Sequence, residues 1–210
     1  AVHVPMVLLR TGNDSLILGA VETAGAISWT VGSLVMSAWG GPKRRIYGAL
    51  FGWVVYCLFG NVLFGLGTGL GIWIPAILVA GLGSNVGIAT SQAILQAKVA
   101  PDVQGRVFSA RRMLTWFPDT FTPILGGLLA DRLMEPAMLS GGWFSRLFGW
   151  LVDTRPGSGM ALIMILFGLG TVLTMLSGFL IPRIRNIELI LPDHDQLAKA
   201  EGSNQEISGN

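Results

Sequence analysis

Two carboxylates stand inside apolar runs, Glu22 in "LILGAVETAGAISW" and Asp119 in "MLTWFPDTFTPIL". An ionised side chain at the centre of a bilayer costs about 2.5–3.5 kcal/mol on insertion scales. A carboxylate kept there is expected to line a polar cavity, bind a cation or exchange protons. Glu22 lies about 9 Å below the outer end of its run at about 1.5 Å rise per residue, close enough for a plain headgroup contact as well. Asp119 lies about 10 Å beyond Arg112 on the same reckoning. Pro118 frees backbone groups beside it and Thr115, Thr120 and Thr122 add polarity, although a structural role stays open.

A third polar feature is the amide stripe Asn85, Gln92 and Gln96. Intervals of seven and four put these residues on one helix face. Such a face turns toward the bundle or a wet cavity, or it bonds between helices at about 1 kcal/mol per contact. Other chemistry finds little support. Neither His3 nor His194 has ligand-spaced Cys, His or carboxylate neighbours, no serine sits near a histidine, and no GxxxxGK[ST] loop is present. We therefore expect no metal, no cofactor and no enzymatic activity. The single cysteine, Cys57, lies in an apolar run and excludes a disulfide framework.

The elements that must position these groups are membrane helices. The chain is 51% hydrophobic and only 12% charged, against about 25% charged in soluble domains. A net charge of +2 is too small to indicate a nucleic-acid partner. Five runs are near the length of about 17–25 residues that a helix needs to cross a bilayer: Leu16–Trp39, Ile46–Leu66, Ile72–Ile94, Phe108–Leu133 and Gly159–Ile181. They lack the alternation of barrel strands, so the expected fold is an all-α bundle embedded in lipid. Pro118 and Pro123 mark the fourth run as a bent helix. Small residues, Ser28 with Gly32 and Gly83 with Gly87, provide close helix packing.

Lysine and arginine favour the cytoplasmic side. One set of loops carries ten of them (Lys43, Arg44, Arg45, Lys98, Arg106, Arg111, Arg112, Arg183, Arg185, Lys199) and the alternate set four (Arg10, Arg132, Arg146, Arg155). The first set, and with it the C-terminus, is assigned to the cytoplasm. Residues 1–9 read as the end of a further helix, and this odd bundle with a Met-less start is expected to belong to a longer chain. Residues 142–152, with Trp143, Leu147 and Trp150 at helical spacing, predict an interfacial helix on the outer leaflet. Residues 183–210 predict a largely disordered cytoplasmic tail.

Three segments then resemble the C-terminal half of a major facilitator superfamily transporter, in the macrolide-efflux and enterobactin-exporter branch. "GSLVMSAWGGPKRR" (32–45) is similar to the family's loop signature G-x-L-x-D-x-x-G-R-K through Gly32, Leu34, Gly40, Gly41 and the cations Lys43, Arg44 and Arg45. "LQAKVAPDVQGRVFSARRML" (95–114), with Asp102, Gly105, Arg106, Arg111 and Arg112, resembles the loop before the eleventh helix. "GLLADR" (127–132) resembles that helix's outer end. The family often places an aspartate where this chain has Met36 or Ser37.

The resemblance implies helices eight to twelve of a bundle that rocks by alternating access against an N-terminal six-helix half, in a bacterial inner membrane. Loops 32–45 and 95–114 would act as cytoplasmic latches, with Asp102 pairing Arg106 or the basic triad. The implied activity is secondary-active efflux, by antiport, of a small amphipathic compound. The alternative is a non-transporting fragment, anchor or assembly module. Glu22 and Asp119 depart from the branch and are not taken from it.

Overall fold

The computed structural model describes residues 2–139, 143–152, 155–190 and 194. Among these residues the secondary structure is entirely helical. α1 (His3–Thr11) carries Pro5 in its first turn, where a missing N–H costs nothing. It ends at Gly12, and Asn13 and Asp14 turn the chain into α2 (Ser15–Trp39). The Asp14 carboxylate accepts the N–H groups of Leu16 (2.9 Å) and Ile17 (3.3 Å), so α2 starts on a side-chain cap. It stops at Gly40 and Gly41, whose φ values of 75° and 86° cost a residue with a Cβ about 1–2 kcal/mol. That turn delivers Pro42 and the basic triad.

α3 (Arg45–Cys57) continues through a π-helical stretch, Leu58–Leu63, into α4 (Phe64–Leu66). α5 (Leu70–Lys98) follows a short glycine turn. α6 (Pro101–Leu129) runs on through a second π-helical stretch, Ala130–Met134, to α7 (Glu135–Leu139). α8 (Trp143–Val152) precedes α9 (Ser158–Leu180), and two short helices, α10 (Pro182–Arg185) and α11 (Ile187–Ile190), close the described chain.

Four of the described helices are long and apolar enough to cross a membrane: Ser15–Trp39, Arg45–Leu66, Leu70–Lys98 and Ser158–Leu180. The chain is a membrane protein of the all-helical kind. The fourth expected run, 108–133, behaves differently. Its helix begins earlier, at Pro101, and includes Asp102, Arg106, Arg111, Arg112 and Asp119, which leave it short of the apolarity of the other four. It is helical through both Pro118 and Pro123.

The tightest seam joins α3 to α5. A Cβ on Gly52 would stand 2.6 Å from the Gly83 carbonyl oxygen, so the two backbones touch where the sequence places Gly83 and Gly87. α2 packs on the other side of α5, with the Ser28 hydroxyl donating to Leu78 O at 2.5 Å. The apolar core lies at the end of the bundle that holds α1 and α4, and gathers Met6, Val7, Val21, Phe64, Trp73, Met138 and Leu162. Arg10 ties this end together by donating to the carbonyls of Gly65 (2.9 Å), Gly67 and Val152 (3.3 Å). Outward-facing Leu34, Leu173 and Leu180 are exposed, the arrangement that lipid contact requires.

α8 covers residues 143–152 of the segment expected as an interfacial helix; residue 142 lies outside the described ones. Val152 is buried in the core, while Trp150 and Leu147 point outward. The segment after α9 differs from the disordered tail expected over 183–210. Its first part is helical to Ile190, and Glu188 there accepts the N–H of Ile46 at 2.9 Å, supplying the start of α3 with the acceptor that its own sequence lacks. Residues 191–193 and 195–210 lie outside the described ones.

Candidate functional site

A cavity of about 790 Å³ opens among α1, α2, α3, α5, α6 and α9. Its volume falls within the range of about 300–1,000 Å³ typical of small-molecule sites. Trp29 comes from α2, Trp53 and Tyr56 from α3, and Phe167 from α9. Trp53 and Tyr56 are three residues apart and meet edge to face, centroids 5.7 Å apart at 88°. The π-helical stretch contributes Gly60 and Asn61 to the wall. Single π-helical turns inside α-helices frequently occur at functional sites, since the widened turn re-aims the side chains that follow it.

The polar part of the lining is sparse: His3, Asn61, Ser84 and Thr122 beside the Tyr56 phenol. No Lys, Arg, Asp or Glu is among the described lining residues. Charge reaches the wall indirectly. His3 Nε2 donates to Glu22 Oε1 at 3.0 Å, and a carboxylate can only accept, so the hydrogen sits on Nε2. The imidazole also packs edge-on to Phe64, centroids 6.3 Å apart, and Phe64 lines the cavity too.

Comparison with protein-family models, characterised proteins and solved structures gives no match.

The residues singled out from the sequence divide among several places. Glu22 lies one hydrogen bond behind the cavity wall. Asn85 is buried in the α2–α5 seam, where its amide donates to Gly81 O (2.8 Å) and Trp29 O (3.4 Å). A Cβ on Gly32 would come 2.6 Å from that amide nitrogen, so Gly32 is small because Asn85 occupies the space. Gln92 Oε1 accepts from Arg111 Nη1 at 3.1 Å, and the backbone carbonyl of Gln96 accepts from Gln104 Nε2 at 3.1 Å. The Gln92 amide therefore braces the α5–α6 corner, and neither Gln92 nor Gln96 is among the residues lining the cavity. Asp119 is on α6, but its side chain lies outside the described residues.

The cations of segments 32–45 and 95–114 have short-range roles. Arg45 donates to Ala93 O at 3.2 Å, Arg44 lies over the Tyr47 ring at 5.8 Å, and Arg112 over the Trp116 ring at 4.7 Å. Gly40, Gly41 and Arg45 border a smaller pocket of about 400 Å³ together with Asn85 and Thr90. Gly105 has open space around it, and Lys43 and Arg106 are exposed. Among the described residues, Asp102 forms no ion pair within 4 Å, with Arg106 or with the basic triad. Asp102 and Arg106 are both exposed in the first turns of α6, where water competes for each charge.

Sequence reading passed over Trp53, Tyr56 and Asn61. A signal was present for Asn61, since the rule that flagged Asn85, an amide inside an apolar run, applies equally to "LFGNVLFG". His3 was weighed only as a metal ligand, and its partner is nineteen residues away on the neighbouring helix.

Proposed function

We propose that this chain is the C-terminal half of a secondary-active exporter of the major facilitator kind, which moves a small amphipathic compound by alternating access. The observation that carries this reading is the cavity of about 790 Å³, walled by aromatic rings with a few hydrogen-bonding groups, inside a bundle of membrane-length helices. Such a lining suits a ligand with an apolar body and one polar end. The loop resemblances at 32–45 and 95–114 and the ten-to-four bias of basic residues favour a bacterial inner membrane with the C-terminus inside. On this reading an N-terminal six-helix half completes the cavity wall, and the coupling is antiport.

The alternative, a non-transporting anchor or assembly module, has its own observation. α6 exposes Met113, Leu114, Trp116, Phe117, Ile124 and Leu125 along its length, a surface suited to another membrane body. Vesicles carrying the protein together with its six-helix half, preloaded with an amphipathic dye, separate the two. A transporter empties them, and Gly126→Trp, which fills the cavity beside Val2, stops the loss. Dye retained by the wild type as firmly as by the variant leaves the anchor reading.

A further inference from the structure

The charge around the cavity selects among amphipathic ligands. We infer that the cavity takes an organic cation with a bulky aromatic body, and that the His3–Glu22 pair supplies its counter-charge. This rests on the cavity being the substrate site. The described lining contains no cationic side chain to receive an anion. Trp29, Trp53 and Tyr56 present aromatic rings there, and aromatic faces attract cations. The Glu22 carboxylate is held at 3.0 Å by His3, which lines the cavity.

Charged groups on the surrounding elements are few. On α1, Arg10 is about two turns away and bonded to carbonyls. On α2, Asp14 is spent on capping. The basic residues of α3 and α5, Arg45 and Lys98, lie at the far ends of those helices, and α9 carries none. α6 contributes Asp119, and Arg132 follows it; its other charged residues, Asp102, Arg106, Arg111 and Arg112, lie toward its distant end. The Tyr56 phenol completes the set.

Tetraphenylphosphonium and tetraphenylborate, matched in shape and opposite in charge, form the test. Each is titrated into the protein in phosphatidylcholine nanodiscs, with tryptophan fluorescence as the readout and Glu22→Gln as the reference that cancels partition into lipid. The cation is expected to bind wild type about two- to fivefold more tightly than Glu22→Gln, the effect of one nearby, half-exposed unit charge. The borate should bind both proteins equally or favour the variant. His3→Gln keeps a donor for Glu22 and should retain the preference for the cation.

Asp119→Asn should leave the preference intact; its loss there, with Glu22→Gln unaffected, would overturn the assignment. Equal binding of the two ions relative to the reference overturns the charge reading alone. No quenching by either ion overturns the cavity as a ligand site, and this inference with it.

Discussion

Glu188 reaches back 142 residues along the chain to accept the backbone N–H of Ile46 at 2.9 Å, while Lys98 Nζ donates to the Glu188 carbonyl at 3.2 Å. One residue thus joins the start of α3, the end of α5 and the segment that follows α9. Arg44, at the α3 N-cap, makes no side-chain cap bond, so Glu188 takes the place of a local cap.

Glu188→Ala removes that acceptor and should cost about 1 kcal/mol locally, the usual worth of a helix cap. Hydrogen exchange at the Ile46 amide is expected to speed up about fivefold, and protease should cut the chain after Pro182 more readily. Unchanged exchange at Ile46 would mean that the contact contributes nothing to holding α3.

The α3–α5 seam sets a second expectation. Gly52 lies against the Gly83 and Gly87 backbones, and a larger side chain must push the helices apart. Gly52→Val should lower stability in detergent by about 1–3 kcal/mol, as overpacking does. Gly71→Ala, with no atom within 4 Å of the added carbon, should leave the unfolding midpoint unchanged. Equal midpoints for both variants would contradict the close approach.

Arg10 gives a third. Its guanidinium serves carbonyls from the α4–α5 turn and from α8, three groups that no other side chain in the described set is positioned to satisfy together. Arg10→Ala should destabilise this end of the bundle by about 2–3 kcal/mol, in the range of charged hydrogen bonds. Arg10→Lys should recover only part of this, since an ammonium lacks the planar fork that reaches separate acceptors. Thermal unfolding followed by circular dichroism distinguishes the three proteins.

Helices were readable from the sequence because a bilayer forces long apolar runs into one conformation. The runs containing Ser28, Gly52 and Leu162 each appear where their hydropathy places them. The small-residue seam was readable in half: Gly83 and Gly87 were visible as a pair, but their partner Gly52 becomes apparent only when α3 is set against α5. The candidate site was less legible. Helical periodicity grouped Asn85, Gln92 and Gln96 on one face correctly, yet periodicity does not say which neighbour the face meets. That face meets α2 at Asn85 and α6 at Gln92. The His3–Glu22 contact joins two helices, and the geometry between helices is not written in either run alone.

The amide stripe and the cavity wall make opposite predictions for ligand binding. Asn85 spends its amide on Gly81 O and Trp29 O, and Gln92 spends its carbonyl oxygen on Arg111. Neither is among the residues lining the larger cavity, whereas Asn61 and Trp53 are. Gln92→Ala should therefore leave the dissociation constant of tetraphenylphosphonium within about twofold of wild type, a difference of under about 0.5 kcal/mol. Asn61→Ala and Trp53→Ala should each weaken it by about five- to thirtyfold, the effect of losing about 1–2 kcal/mol of hydrogen bonding or ring contact. Asn85→Ala should lower the unfolding temperature and leave binding nearly unchanged, because its loss opens the α2–α5 seam and not the cavity wall. The reverse order, with Gln92→Ala crippling binding and Trp53→Ala silent, would move the ligand site to the α5–α6 corner.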